Sequence, residues 1–589
     1  MTVGTGSRGW RRPMLALLAG ITVVAAGRAA PGAAASGDSA AARAMYTGGP
    51  IITMEGERPD YAEALVVEDG KIAFVGSRRE ALARYPDARR EDLKGRTLLP
   101  GFIDGHSHLY NTGFFGLMAN LYPPPDGPGQ SHASLIRSMQ DWTKSSQGRL
   151  MIGKFGWIMG FGYDDSLLAE REHPTARDLD RISTELPVVV IHQSGHLAAI
   201  NTRAMQLMGI TRDSPDPAGG VIQRNADGTP NGVLEEAAWV GVGFKIVAKT
   251  DAEVRKASLA KAQELYASYG YTTVQEGRAS PIESGALAEA AQGGELYLDV
   301  VSYPDIQFGV GVMASPYYTR DRSYRGHYRI GGAKLSLDGS PQGKTAWLSH
   351  PYHVPPHGRG ADYVGYPALP DAQANALVAK AYENGWQLLV HANGDAAIDQ
   401  MIAAIGAAGK AYPGTDRRTV LIHGQTLRKD QVPVMAKQGV LPSLFPAHTF
   451  YWGDWHRQSV LGADRARDIS PDRWVLDAGM TLTSHSDAPV VPPNSLRILD
   501  ATVNRTTRSG FVLGAEQRLS RYEALKTLTA WSAFQYFEEQ GKGTLSVGKL
   551  ADLVILDRNP LTVAPARLHK IRVLRTIKQG RTVWSAPAR

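Results

Sequence analysis

Apolar and polar positions alternate with a period of two near both ends of the chain. In the middle they give way to short, solid apolar runs separated by helix-like stretches. From Met45 to Val75 the segments IITMEG and ALVVEDGKIAFVGS alternate about a Glu68-Asp69-Gly70 turn, the pattern of a β-hairpin. The pattern returns in GTLSVGKLADLVILDRNP (Gly543–Pro560) and IRVLRTIKQGRTVWS (Ile571–Ser585), which also turn at glycine. Two β segments flanking a long middle predict one β-sandwich domain built from both termini, over 45–97 and 543–587.

Eight runs in the middle are rich in β-formers, and many lead into Gly, His or Asp and then a helical stretch: Leu99–Ile103, Thr272–Gln275, Tyr297–Ser302, Gly332–Leu337, Gln387–Val390, Thr419–Ile422, Val440–Leu444 and Thr481–Ser484. Strands alternating with helices predict a parallel sheet, and eight of them predict an α/β fold closed as a (β/α)8 TIM barrel over 98–542. LPVVVIHQ (Leu186–Gln193) is an equally good strand. It is assigned to an insertion at about 111–265, because Tyr110 to Tyr266 is too long for one crossover. No internal repeat is evident.

Composition narrows the chemistry. With 589 residues, 43% hydrophobic and 21% charged, the chain can bury a large core and resembles neither a disordered nor a collagenous sequence. It has no cysteine, so disulfides, thiolate metal sites and cysteine nucleophiles are excluded, and metal chemistry falls to His, Asp, Glu and Lys. Residues 1–35 read as a signal peptide: Arg8, Arg11 and Arg12, an apolar run from Met14 to Ala26, then Ala33-Ala34-Ala35. The expectation is export to the periplasm or beyond by the twin-arginine or the general secretory route, with no stable membrane anchor after cleavage. The segment carries four arginines and no acid, so its removal lowers the net charge from +7 to +3 and a nucleic-acid partner loses its support. The expected partner is a small-molecule substrate, and a homodimer is left open.

In TLLPGFIDGHSH, His106 and His108 stand two apart at the end of an apolar strand, on one face and spaced to chelate one metal ion; a polar loop is the plain alternative. His391 after GWQLLV and His423 after RTVLI occupy the carboxyl ends of buried-type strands, where barrel enzymes place their chemistry. Asp487 ends the eighth strand, as a ligand or as an Asx-turn before Pro489. Lys334, on a central strand in GGAKLSLDGS, needs either an acidic partner, Asp338 or another acid, or chemistry of its own.

These stretches carry a resemblance. LLPGFIDGHSH is similar to the first-strand metal motif of the amidohydrolase superfamily. PVVVIHQSGHLAAIN, GVLEEA, AKLSLDGS, LLVHANGDAAID, SHSDAPV and GKLADLVIL resemble amidohydrolase family 3, the YtcJ-like group that includes N-substituted formamide deformylases, in order from Met45 to Ser585. The sixth strand departs from the family pattern, reading Leu421-Ile422-His423-Gly424-Gln425 without an acid before the histidine. The resemblance implies a metal-dependent hydrolase of amide, N-acyl or N-formyl C–N bonds. One or two divalent ions, zinc first, would be held by His106, His108, Lys334, His391, His423 and Asp487, with Lys334 carboxylated and Asp487 also catalytic. Lactone or ester hydrolysis, or isomerisation, on the same metal barrel is the alternative, and a non-catalytic regulator or scaffold stands behind both.

His196 resembles a family position near the active site and is read as a donor to the substrate oxyanion, or as a residue ordering its loop beside His192. In LFPAHTFYWGDWH, His448, Tyr451, Trp452 and Trp455 predict an aromatic-walled substrate pocket; loop packing would use the same residues. GWIMGFGYDD lacks the context of a nucleotide loop and is read as a turn with Tyr163 facing the pocket.

Overall fold

The computed structural model describes residues 43–587, except 218, 357 and 415. The signal-peptide expectation lies outside the described residues. Among these, no helix is long and apolar enough to cross a membrane.

The alternating segments at the two termini form one mixed sheet. Its order is Arg581–Ser585, Val573–Lys578, Leu553–Leu556, Thr97–Pro100, Ala44–Ile52, Tyr61–Glu68 and Lys71–Gly76, with Arg89–Asp92 also paired to Ala44–Ile52. The Tyr61–Gly76 hairpin turns at Asp69-Gly70, both at positive φ (50° and 73°), which suits the twist of a two-residue turn. The termini are joined where Leu553–Leu556 runs antiparallel to Thr97–Pro100.

The apolar runs of the middle form parallel strands whose side chains are buried on both faces, which is why they read as solid rather than alternating. One parallel sheet contains Phe102–Ile103, Tyr271–Ala279, Asp299–Pro304 and Tyr328–Ile330; a second contains Gly332–Ser336, Gln387–Ala392, Val420–His423, Leu441–Leu444 and Thr483–Ser484. Helices such as Ala252–Ser268, Pro281–Gln292, Asp371–Glu383 and Asp395–Ala411 alternate with them. The sheets share a chain segment: only Gly331 separates Tyr328–Ile330 from Gly332–Ser336, and a Cβ on Gly331 would stand 2.6 Å from the Tyr303 ring. A parallel bridge between Asp305 and Lys334 spans the same junction. At the other ends no ladder joins Phe102–Ile103 to Thr483–Ser484 among the described residues. Ile103 N–H donates to Leu528 O and Ser484 N–H to Thr527 O, so the intervening backbone takes up their hydrogen bonds. The architecture is therefore α/β with mixed and parallel sheets.

The first expected run, Leu99–Ile103, serves two sheets. Thr97–Pro100 belongs to the terminal sheet, while Phe102–Ile103 lies parallel to Tyr271–Ala279. Residues Ala119–Glu236 contribute a separate sheet, in the order Gly220–Arg224, Pro230–Glu236, Leu197–Ile200, Val188–His192, Ile158–Tyr163 and Ala119–Asn120.

A buried ionic group ties the terminal sheet to the strand starts. Asp299, at the beginning of Asp299–Pro304, accepts hydrogen bonds from Lys542 Nζ (2.5 Å), Lys578 Nζ (2.6 Å) and His327 Nδ1 (2.7 Å). Lys578 also reaches Asp552 and Lys542 reaches Glu538. Burial alone would push the Asp299 carboxyl up, but the two ammonium groups overcome this and hold it well below the ordinary carboxylate range. Its contribution is thus present above the unfolded-state pKa of about 3.9 and is lost as pH falls further. Removing one member of a buried ionic group costs about 3–5 kcal/mol. Asp299→Asn is accordingly expected to lower the urea midpoint at pH 7 by a stability loss of that size, and by only about 1 kcal/mol less at pH 3, because the folded-state carboxyl titrates well below its ordinary value; an unchanged midpoint at pH 7 would contradict the assignment.

Candidate metal centre

The six residues singled out as ligands come together at the carboxyl ends of the parallel strands. His106 is fully buried, its Nε2 2.8 Å from Lys334 Nζ and 3.5 Å from Asp487 Oδ1. His108 Nε2 is 3.3 Å from the same oxygen. His391 Nδ1 is 3.0 Å from His423 Nε2, which is 4.0 Å from Asp487 Oδ2.

Outer hydrogen bonds fix which nitrogen of each ring faces inward. Tyr536 Oη donates to Asp104 O (2.6 Å), so it accepts from Gln275 Nε2, also at 2.6 Å. With its amide nitrogen so committed, Gln275 offers Oε1 to His106, and the 2.5 Å contact is His106 Nδ1–H donating. The His106 lone pair is then on Nε2, aimed at Lys334 and Asp487. His391 similarly turns Nε2 to Gly339 O (3.1 Å), leaving Nδ1 for the interior. Such outer partners are what orient histidine ligands in metal sites.

Burial sets the charge states. It pushes His106 and His423 well below the ordinary histidine range and His391 to about 3, so all three are neutral imidazoles with a free lone pair. Lys334 is lowered to about 7, first by burial and further by Arg278, against the attraction of Asp487 and Asp305. Burial raises Asp487, but the attraction of His108, whose Nε2 lies 3.3 Å from Oδ1, reverses the shift and keeps it anionic. Asp338 is not the partner of Lys334: its oxygens accept the N–H groups of Asn393, Gly394 and Trp347. Asp487 makes no Asx-turn either, since its Oδ1 is buried without a hydrogen-bond partner.

Two of these residues have strained backbones. His423 (φ 75°) and Asp487 (φ 53°) occupy the left-handed region, which costs of order 1–3 kcal/mol per residue and is characteristic of functional sites. The strained turn after the eighth strand brings in a residue the sequence reading passed over. His485 is fully buried, neither ring nitrogen has a partner, and it groups with His423 and Asp487 as a possible metal-holding set. Its signal was the His-x-Asp spacing in SHSDAPV, the counterpart of His106-x-His108. A second set is His106, His108 and Asp487. Neutral imidazoles at His106, His391 and His423, a carboxylate and a near-neutral amine, grouped around one point, fit a divalent cation of the zinc type.

The cavity above them is about 240 Å³, with His196, Arg278, Phe445, His448 and Val490 among its walls. His196 stands half-exposed at its edge with Nδ1 3.1 Å from Glu236 Oε2, a hydrogen bond that raises its pKa; His192 pairs with Ser194 instead. The aromatic-pocket expectation needs correction. Only His448 of that group lines the cavity. Tyr451 is buried and donates to Asp126, Trp452 packs on Phe445 and His448, and Trp455 turns outward to Gln342 O. The run forms the helix His448–Trp455, which directs most of its rings into packing rather than towards the cavity. Tyr163 likewise lies in the core of the Ala119–Glu236 sheet, its hydroxyl 3.2 Å from His173 Nδ1.

Fold and site together define a metal-dependent hydrolase. A profile of the amidohydrolase family matches residues 90–584, and the chain belongs to that family. YtcJ of Bacillus subtilis is 28% identical over 558 residues, 92% of this chain and 99% of YtcJ. The N-substituted formamide deformylase of Arthrobacter pascens is 28% identical over 531 residues, 89% of this chain and 95% of that enzyme. The crystal structure of a metal-dependent hydrolase from Pyrococcus horikoshii shares the fold, with TM-score 0.69 and 24% identity over 89% of this chain and 99% of that one.

Loss of an outer-shell partner typically weakens metal binding by about 10- to 100-fold. Gln275→Leu should therefore lower the metal retained after dialysis against a buffered chelator, measured by elemental analysis, without loss of the far-UV circular dichroism. Retention equal to that of the unaltered protein would show that the Gln275–His106 contact does not orient a ligand.

Proposed function

We propose that this amidohydrolase cleaves the C–N bond of a small N-acyl or N-formyl amide at the centre formed by His106, His108, Lys334, His391, His423 and Asp487. The observation that carries the reading is the convergence of these donors from five strands on one point, where Asp487 Oδ1 and both ring nitrogens of the neighbouring His485 are buried without a hydrogen-bond partner. A divalent cation held there, zinc first, would supply Lewis acidity, polarising a carbonyl and bringing the pKa of water from about 15.7 towards neutrality.

The chain's own groups divide the remaining work. Asp487, anionic and with Oδ1 free of hydrogen bonds, takes the proton of the attacking water and delivers it to the departing amine nitrogen. His196, held at Nδ1 by Glu236 and favoured as the cation, has Nε2–H to donate to the developing oxyanion. Lys334, whose amine is buried, near-neutral and close to His106, is the residue that would take up carbon dioxide as a carbamate, which would add oxygen donors for the cation.

The same reading extends to the architecture. The parallel sheets, continuous through Gly331 and brought together around residues 527–528, are taken as a (β/α)8 barrel over 98–542, interrupted by an insertion at about 111–265. The sheet of both termini is taken as the β-sandwich domain over 45–97 and 543–587. Residues 1–35 are proposed as a signal for export, which amino-terminal sequencing of the secreted protein would test.

The purified protein should contain divalent metal and release benzylamine and formate from N-benzylformamide, followed by chromatography. Chelation should abolish the activity and added zinc restore it. Asp487→Asn should lower kcat by about 10²- to 10⁴-fold, the usual worth of a positioned general base. A metal-free preparation with full activity would refute the proposal.

A further inference from the structure

One charged group at the cavity has no part in the hydrolysis described above. Arg278 lies near the carboxyl end of Tyr271–Ala279, and its side chain lines the cavity with Lys334, His391 and Asp487. Its Nε donates to Asp305 Oδ2 at 2.9 Å. Asp305 is buried and held in turn: Oδ1 accepts the Gln307 N–H at 2.9 Å, and its backbone bridges to Lys334. The guanidinium is therefore anchored at one nitrogen beside the reacting centre. It is still about half exposed (47%), and its two terminal nitrogens have no hydrogen-bond partner among the described residues.

The free Nη1–Nη2 edge presents two parallel N–H groups, the geometry that matches both oxygens of a carboxylate. No acid of the cavity is available to fill it. Asp338 is committed to three backbone N–H groups, and Asp487 faces His106 and His108. One edge of one guanidinium suits a planar monoanion, whereas a phosphate dianion calls for more cationic donors. The cavity, at about 240 Å³, is smaller than the roughly 300–1,000 Å³ typical of drug-sized ligands, and Phe445 and Val490 add apolar wall.

We propose that Arg278 is the carboxylate anchor of the substrate site, so that the preferred substrates are small amides that carry a carboxylate. This rests on the amide-hydrolase reading and narrows it. The competing role for Arg278 is to neutralise Asp305 alone.

Two matched pairs separate these roles and both possible positions of the charge: N-formyl-phenylalanine against N-formyl-phenethylamine, and N-benzylsuccinamate against N-benzylbutyramide. In the unaltered metal-loaded protein, kcat/KM for the anionic member of at least one pair should exceed that of its neutral partner by roughly 10- to 100-fold, as expected for a charge-assisted bidentate contact. Arg278→Met should collapse that ratio towards one, and Arg278→Lys should restore part of it. Equal rates within both pairs, or a ratio that survives Arg278→Met, would overturn the proposal. Failure to hydrolyse any of the four compounds would count against the amide-hydrolase reading, and binding then decides the role of Arg278. In calorimetric titrations of the protein as purified, 3-phenylpropanoate should bind roughly tenfold or more tightly than 3-phenylpropan-1-ol, and Arg278→Met should remove the margin. The same margin in both proteins would mean that Arg278 does not hold the carboxylate.

Discussion

Taking polar side chains out of water without giving them partners is the constraint on which the rest of this structure depends. His106, His423, His485 and Lys334 are buried around one point that the half-buried Asp487 also faces, and Asp487 Oδ1 and both ring nitrogens of His485 have no partner there. Each unsatisfied buried group costs about 1–3 kcal/mol, more when charged. A fold that keeps such a group must recover the cost through something it binds. That is why the site reads as a cation cradle rather than as a core with polar flaws, and why His106, His391, His423 and His485 are held neutral and the lysine near-neutral by burial itself.

The fold meets this constraint by using strand ends. Each donor lies on a strand whose own backbone is paired or within a few residues of its end, so the strand sets the position from which the side chain faces the centre. Where a straight strand end would aim wrongly, the chain accepts strain, as at His423 and Asp487. Where a ring could flip, a relay from Asp104 O through Tyr536 and Gln275 fixes it. The segment around the Ala119–Glu236 sheet closes the side of the site by gripping the turn that carries Asp487: Gln193 donates to Val490 O at 3.1 Å, and Tyr122 donates to Pro489 O. His196 and Ser194 thereby become part of the cavity wall.

Much of this was legible in the sequence, for definite reasons. Histidines after buried-type strands stand out because little else in such runs is polar, so His106, His108, His391, His423, Lys334 and Asp487 could all be picked out. His485 was passed over because its one signal, the His-x-Asp spacing to Asp487, is set in a short polar run, Ser484-His485-Ser486-Asp487, where neighbouring polar residues mask it. Gln275 and Arg278 were hidden for another reason: their meaning lies in contacts with Tyr536 and Asp305, far away in sequence. The aromatic run after Leu444 misled because density of rings does not reveal which helix face meets the core. The Leu99–Ile103 run looked like one strand because Gly101, where it passes from one sheet to another, interrupts no apolar pattern; a Cβ there would stand 2.4 Å from Thr272.

The two ends of the parallel strands carry opposite electrostatic designs. At the starting ends, Asp299 meets Lys542 and Lys578 within hydrogen-bonding distance, and the lysines reach further acids, so every charge is answered from within the chain. At the carboxyl ends the charges are left incomplete: Asp487 lacks a partner for one oxygen, and Arg278 has one nitrogen fixed and two free. Stability and chemistry are thereby separated, because loops at one end of parallel strands can vary while the other end holds the strands in register. In this chain the separation reaches single side chains. Asp299 and Asp305, both buried, sit at the start and just past the end of one strand. The first closes a complete ionic group, and the second anchors a guanidinium whose remaining donors are still open.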